Sequence, residues 1–333
     1  MSQQTTSLSP EEFETRLRIV RIFMPLAGRK VDAAYPDRNV PAKFVHYTSA
    51  EAGLKIIQSK RLWMRNTTCM ADFREVSHGF DLLLAAFKNK TKSRQFHDAL
   101  DACVPGMAEK VLAFFDSHLP DIRANTFVTS VSTHFPREDR RGRLSMWRAF
   151  APGAARVALV VNIPWFSGAA EALRLLFSPV EYLRSDEFEK EFSVVLANIN
   201  DNTNFLRGVD PQLIFSFAYQ MLLAGVTCLK HEAFDEEQEW RAVYGPHRFS
   251  SPLMERATEI IGGVPQTIYK IPLDGTKDAQ LAGLELSHIF DHLIIGPTQF
   301  PGAIFEACVH ELKEIGIHDA DKRVWVSDIP IRS

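Results

Sequence analysis

The sequence predicts an α+β fold with a mixed, largely antiparallel sheet and helical insertions. Short β-prone runs and amphipathic helical segments are interleaved irregularly along the 333 residues, whereas a doubly wound parallel sheet would alternate them regularly. No internal repeat and no low-complexity linker divides the chain. We therefore expect an N-terminal helix and connecting loop over residues 1–42. A single α+β domain of the catalytic type should follow over residues 43–333, with a helical insertion around residues 75–118.

The strand predictions rest on short runs of apolar and β-branched residues bounded by turn residues. The clearest are the apolar run at residues 156–163, which is typical of a buried strand, and the alternating run at residues 127–132. The other predicted strands are residues 43–47, 61–64, 178–183, 239–244, 267–271, 292–297 and 323–326.

The helix predictions rest on apolar residues at helical spacing and on capping residues. Ser9 followed by Pro10 and two acids marks the start of a first helix, which should end near Pro25 and lead into a loop over residues 28–41. Ser49 should cap a helix over residues 50–57. The other predicted helices are residues 75–88, 93–104, 106–118, 145–150, 187–198, 210–229 and 301–315.

Composition and charge exclude several classes of protein. The net charge of -3 gives no global basic field for nucleic acid or an anionic membrane. The sequence contains no run of eighteen apolar residues, so it predicts no membrane span. The four cysteines are scattered and unpaired in sequence, which favours a reducing compartment, so we expect a cytoplasmic protein that does not bind a membrane.

Two short motifs carry the functional signal. The first is His46-Tyr47-Thr48 at the end of an early strand, where an imidazole can bond a ribose hydroxyl and a Tyr ring can stack on a base. The alternative is an ordinary strand end with a packed Tyr. The second motif is Glu237 and Glu239 at the start of a late strand, where side-chain alternation places both acids on one face.

Two carboxylates on one face repel each other unless something uses them. Either acid could stabilise an oxocarbenium-like transition state beside a ribose and orient its 2′-hydroxyl. The alternative is a solvated acidic segment that precedes a strand. The carboxylates Asp72, Glu75, Glu237 and Glu239 could instead bind Mg²⁺ in a nuclease-like enzyme.

Further candidates lie between these motifs. Ser130 and Ser132 share one face of their strand and could support a ribose or position a catalytic Glu. Trp147 could wall a base pocket beside Arg148, which could meet a pyrophosphate; the alternative is a core Trp with an exposed Arg. Asn66 could bind substrate. The spacing of the histidines and cysteines indicates no metal site.

The order of these motifs resembles a mostly bacterial family, domain-of-unknown-function family 2971. The resemblance covers roughly residues 43–300 and is fairly specific for the family, although it implies no reaction. The residues that carry it are His46-Tyr47-Thr48; Leu62-Trp63 with Asn66, Asp72 and Glu75; Leu144-Ser145-Met146-Trp147-Arg148; and Lys230, Phe234, Glu237, Glu239, Trp240 and Arg241.

A second, more remote resemblance is to the ADP-ribosyltransferases. His46 is similar to their adenosine-ribose histidine, Ser130 and Ser132 to a Ser-x-Ser/Thr strand, and Glu237 and Glu239 to a Glu-x-Glu pair. Tyr47 departs from the pattern, because the stacking Tyr of that family usually lies on a later strand. This resemblance implies an ADP-ribosyltransferase-like fold and an enzyme that cleaves NAD, its substrate, and transfers ADP-ribose to a macromolecule, either protein or nucleic acid. It also implies a toxin or anti-phage role.

The resemblance assigns Glu239 and Glu237 to catalysis. The residues assigned to NAD binding are His46, Tyr47, Thr48, Asn66, Ser130, Ser132, Trp147, Arg148 and Arg241. The alternatives are a non-catalytic module that binds a nucleotide or a partner, and the metal-dependent nuclease described above. NAD binding without metal would separate the first hypothesis from the nuclease.

Overall fold

The computed structural model describes residues 9–70, 73–149, 155–164, 168–276 and 278–330. Asp72 therefore lies outside the described residues, and the side chain of Glu75 is not described. The strands of the described part are β1 (Ala42–Ser49), β2 (Arg61–Asn66), β3 (Phe127–Thr133), β4 (Arg156–Ile163), β5 (Leu176–Pro179), β6 (Glu181–Tyr182), β7 (Leu229–Lys230), β8 (Glu239–Tyr244), β9 (Glu255–Ile261), β10 (Val264–Pro272), β11 (Phe290–Ile295) and β12 (Val324–Val326).

Helices occupy most of the remaining described chain. They are α1 (Pro10–Phe23), α2 (Pro25–Ala34), α3 (Ala50–Ser59), α4 (Phe73–Lys88), α5 (Lys90–Cys103), α6 (Met107–Ala124), α7 (Leu144–Ala149), α8 (Gly168–Ala172), α9 (Ser185–Asp201), α10 (Thr203–Leu206), α11 (Pro211–Thr227), α12 (Leu286–Ile289), α13 (Pro301–Glu314) and α14 (Ala320–Arg323).

The main sheet is mixed and largely antiparallel, as predicted. Among the described strands its order is β12-β11-β4-β1-β3-β2-β10-β9, with β8 joined to β3 and β5 joined to β8. Among the described pairs of this sheet, β11–β12 is the parallel one. The short strands β6 and β7 form a separate parallel pair. The α+β class predicted from the sequence is confirmed.

The two largest apolar cores of the described residues are built differently. The larger one joins α1, α4, α5, α6, α9 and α11, and contains Phe96, Phe192 and Leu222. The other packs α3 and α13 against the strands, around Ile57, Leu293 and Leu312. Helices α4–α6 occupy the region of the predicted helical insertion, and they share the larger core with α1, α9, α10 and α11.

The predicted start of the first helix is confirmed, but the loop predicted after it is wrong. Ser9 and Glu12 form the reciprocal capping box that begins α1, with Pro10 in the first turn. The segment 28–41, predicted as a loop, instead begins inside α2. Pro25 suits the first turn of a new helix because its fixed φ is already helical, and α2 gains burial through Ala27 and Val31.

No helix among the described residues is both long and apolar enough to cross a bilayer.

Candidate functional site

The candidate site lies on β3, where two neighbouring strands part. β8 pairs with β3 from Phe127 to Ser132, so it occupies one edge of that strand. The other edge is shared, because β1 pairs only with Ser132 and Thr133 and β2 only with Phe127 and Val128. The middle of β3, including the carbonyl of Ser130, faces the gap between β1 and β2.

His46 closes this gap. Its Nδ1 lies 2.9 Å from the Ser130 carbonyl oxygen. A carbonyl only accepts, so Nδ1 carries the proton and donates it, and Nε2 of the neutral ring keeps a lone pair. Burial lowers the pKa of His46, and the bond to Ser130 only partly offsets that effect, so the ring is neutral at pH 7. His46 therefore presents a hydrogen-bond acceptor at Nε2.

The side chain of Ser130 continues the contact to β8. Its hydroxyl donates to Oε1 of Glu239 in a short hydrogen bond. Glu239 is 6% exposed and forms a bidentate ion pair with Arg241, at 2.7 Å from Nε to Oε1 and 3.1 Å from Nη2 to Oε2. A continuous chain of contacts thus joins His46, Ser130 and Glu239, three residues from β1, β3 and β8.

Lys230 contacts both Glu237, which precedes β8, and Glu239, the first residue of β8. Its Nζ lies 2.6 Å from Oε2 of Glu237 and 3.0 Å from Oε2 of Glu239, and the residue is only 1% exposed. Lys230 belongs to the family motif, but sequence analysis gave it no role in the site. The two acids do not share a strand face as predicted, because Glu237 ends a 3-10 turn (Glu232–Glu237) and the left-handed Gln238 separates it from β8. They meet at the lysine, since a buried ammonium is costly without counter-charges.

We call Ser130, Lys230, Glu237, Glu239 and Arg241 the carboxylate network. Burial raises the pKa of Glu239, but the charges of Arg241 and Lys230 outweigh it, and the pKa falls to about 2. Glu239 is therefore a permanently ionised, rigidly oriented carboxylate. Glu237 lies closer to solvent, with 12% of its side chain exposed against 6% for Glu239.

Two tyrosines and an arginine brace the network, and sequence analysis missed two of the three. The backbone N–H of Glu239 donates to the Tyr182 hydroxyl at 2.9 Å. Arg143 donates through Nη1 to the carbonyls of Glu236 and Glu237, and its backbone N–H donates to the Tyr47 hydroxyl. No local pattern marks Tyr182 or Arg143, because both act through backbone groups of residues distant in sequence.

Tyr47 and Trp147 are core residues in this structure. Tyr47 is 6% exposed and Trp147 is fully buried, with their rings edge-to-face at 4.8 Å. Trp147 also donates from Nε1 to the Arg141 carbonyl. Neither face of the Trp147 ring is open to a base, so Trp147 supports Tyr47 from within the core, while Arg148 is exposed.

The remaining candidates occupy structural positions at the edge of the site. Asn66 accepts from the backbone N–H of Thr68 and donates to the Ala124 carbonyl, so it caps a turn. Ser132 is buried and faces Glu239 across the β3–β8 ladder. Thr48 is half-buried near the end of β1. Asp72, a candidate in the nuclease alternative, lies outside the described residues.

An apolar cavity lies beside the network without including its charged groups. Helices α9 and α11 line it together with Ser178, Pro179 and Cys228. Ser178, on β5, lines the cavity and is paired with Arg241 of the neighbouring strand β8, so the cavity lies next to the network. We therefore place the candidate site at the network and not in the cavity.

Residues 146–242 match a family model described as "Protein of unknown function (DUF2971)". The match includes Trp147, Lys230, Glu237, Glu239 and Arg241, and over these residues it confirms the predicted family resemblance. No curated protein and no solved structure matches the chain.

Proposed function

We propose that the protein is an ADP-ribosyltransferase-like enzyme that cleaves NAD and transfers ADP-ribose to a protein or nucleic acid acceptor. The observation that supports this most is the contact chain from His46 through Ser130 to Glu239. It joins the three motifs that resemble the NAD site of that family, although they come from three strands far apart in sequence.

In this reaction the bond between nicotinamide and the ribose C1′ breaks, and nicotinamide leaves with the bonding electron pair. Positive charge then develops on the ribose as an oxocarbenium-like ion. Glu239 is suited to stabilise it, because its carboxylate stays ionised at physiological pH and Ser130 and Arg241 hold its orientation. A carboxylate fixed in advance reorganises little as charge develops.

Glu237 is suited to the second half of the reaction. An acceptor nucleophile must lose a proton as it attacks C1′, and Glu237 is the more exposed acid of the pair. His46 is suited to bind and not to react: its Nε2 can accept a ribose hydroxyl, and the ring stays neutral. A toxin or anti-phage role, implied by the resemblance, belongs to the same proposal.

A second candidate function is a non-catalytic module that binds a nucleotide or a partner. The observation that favours it is the saturation of Glu239, whose two oxygens already contact Arg241, Lys230 and Ser130. A catalytic carboxylate must still reach the ribose, whereas a structural one need not. The same saturation disfavours the nuclease alternative, since Mg²⁺ would compete with two buried cations for these oxygens.

The test is the release of nicotinamide from NAD, followed by chromatography, with wild-type protein, Glu237→Gln and Ser130→Ala. We expect release by the wild type and a loss of about 10²–10⁴-fold in Glu237→Gln, the range for a general base. Ser130→Ala should lose less activity, because Ser130 orients Glu239 and does not touch the ribose. Glu306→Gln, an exposed acid on α13, is the matched control and should keep full activity. NAD that stays intact with wild-type protein would favour the binding module.

A further inference from the structure

Two buried histidines that the proposed reaction does not use lie near the edge of the sheet where β3 ends and β11 begins. His134 follows β3 directly and is 5% exposed, and His292 on β11 is 1% exposed. Their ring centres are 5.4 Å apart. Asp139, in the turn after β3, keeps about a third of its side chain exposed. One ligand atom from each of these three residues lies within 4.8 Å of the other two.

Each imidazole has one nitrogen held by a carboxylate and one buried nitrogen without a hydrogen-bond partner. His134 Nε2 lies 2.8 Å from Asp139, and His292 Nδ1 lies 2.6 Å from Asp291. The unpartnered atoms are His134 Nδ1 and His292 Nε2. Buried polar atoms nearly always have partners, so the orphaned Nε2 of His292 in this cluster indicates a missing ligand.

The tautomer of His292 is fixed by its neighbours. Asp291 also accepts from Lys43 Nζ at Oδ1 and from Asn162 Nδ2 at Oδ2, so both of its oxygens act as acceptors. An ionised carboxylate only accepts, so the proton of His292 sits on Nδ1 and the lone pair on Nε2. A carboxylate behind a histidine in this way is the usual arrangement for a metal-ligating imidazole.

We propose that His134, Asp139 and His292 hold a divalent transition-metal ion of the zinc type. His292 binds it through Nε2, and His134 binds it through Nε2, the nitrogen that lies beside Asp139. Imidazole and carboxylate donors suit this class of ion. Metal–nitrogen bonds of about 2.0–2.1 Å place an ion roughly 3.2 Å from each ring centre, so rings 5.4 Å apart subtend an angle close to tetrahedral when both aim a nitrogen at it. Asp139 connects the site to solvent, so water can complete the coordination.

The ion would link the turn after β3 to β11, across the ends of β1 and β4. The backbone already brings these segments together, because the His134 N–H donates to the Lys43 carbonyl of β1, and β11 pairs with β4. Trp325 packs on His292 at 4.2 Å between ring centres and shields the site from the β12 side. The inference is independent of the proposed NAD chemistry, since none of the three ligands belongs to the carboxylate network.

The experiment is a titration of the chelator-treated full-length protein with Co²⁺, followed by visible absorption, and with Zn²⁺, followed by melting temperature. We expect one equivalent of Co²⁺ to produce the strong absorption of a low-coordinate site, and Zn²⁺ to raise the melting temperature by mass action. His292→Gln should lose both signals. Because that variant disturbs a buried position, Asp139→Asn serves as the second variant.

Asp139→Asn keeps an oxygen that can accept from His134 but loses the charge of the ligand. It should fold normally and bind Co²⁺ at least tenfold more weakly. His310→Gln removes an exposed histidine of α13 and should bind as the wild type does. Wild-type protein that binds no equivalent of metal, or one equivalent that persists in both His292→Gln and Asp139→Asn, would overturn the proposal.

Discussion

The carboxylate network and the histidine cluster are both buried and polar, and both include a residue on or directly after β3, but the cost of burial is offset differently in each. In the network, the carboxylates of Glu237 and Glu239 lie against Lys230 and Arg241, so charge is balanced by charge. In the histidine cluster, His134 and His292 are each left with a nitrogen that has no partner. The charges of the network are balanced within the protein, whereas the cluster is where we propose a metal ion.

This difference determines what each region should do when a residue is removed. Breaking a balanced network leaves an unpaired charge in the interior, which is costly whether or not a ligand is present. Removing a ligand from an incomplete cluster should matter mainly when metal is available. Stability measurements with and without ligands therefore distinguish the two regions.

The largest effect is expected for Glu239→Gln. The substitution keeps the shape of the side chain but leaves Arg241 and Lys230 with one carboxylate fewer, and breaking a buried pair in this way costs about 3–5 kcal/mol of unfolding free energy. Urea unfolding at pH 7 measures it. Glu306→Gln is the matched control, and a change of the same small size in both variants would show that the network is not balanced as described.

Acid should remove the same stabilisation in the wild type. The pKa of Glu239 is about 2 in the folded protein against 4.5 in its unfolded reference, so its contribution is complete above pH 4.5 and is lost as pH falls toward 2. The shift corresponds to about 3 kcal/mol. Urea unfolding between pH 6 and pH 3 should show a loss in the wild type that is smaller in Glu239→Gln. Equal losses in the two proteins would contradict the assignment.

His46→Ala should reduce stability by an intermediate amount and should weaken the binding of NAD. It leaves the Ser130 carbonyl without its partner in the gap between β1 and β2, which costs about 1–3 kcal/mol. A neutral imidazole holds substrate and transition state about equally, so KM for NAD should rise several-fold while kcat changes little. A stability loss with unchanged KM would show that His46 only closes the sheet.

The smallest effect on stability is expected for Arg148→Ala. Arg148 is exposed on α7, and exposed substitutions of this kind usually change stability by less than about 0.5 kcal/mol. If Arg148 contacts the pyrophosphate, KM for NAD should rise while the melting temperature stays constant. An unchanged KM would remove Arg148 from the NAD site and leave the other residues unaffected.

Local pattern was enough to predict most of the fold. The bounds of β4 and β8 agree with the predicted runs, and Ser9 and Ser49 cap the predicted helices. The strand β9 was missed because its exposed, charged residues lack the apolar alternation of a half-buried strand. The signal that marks it is Gly262-Gly263, whose positive φ angles form the tight turn into β10.

The site was predictable only in part, because sequence shows which face a side chain occupies but not what lies opposite it. Alternation was the wrong reason for pairing Glu237 with Glu239, because Glu237 ends a 3-10 turn and only Glu239 lies on β8. Nothing local indicated that Lys230 would lie between them. The sequence spacing of the histidines indicated no metal site. His134 and His292 are far apart in sequence and come together only through the order of the strands in the sheet. Contacts that depend on topology lie beyond local pattern.

The most direct test of the central claim is the melting temperature of the wild-type protein with NAD in the presence of a chelator. The account predicts that NAD raises the melting temperature in a concentration-dependent way without any metal, and that His46→Ala weakens this response. The chelator keeps any ion bound by the histidine cluster from contributing. A melting temperature that does not respond to NAD, or that responds only when Mg²⁺ is added, would contradict the account.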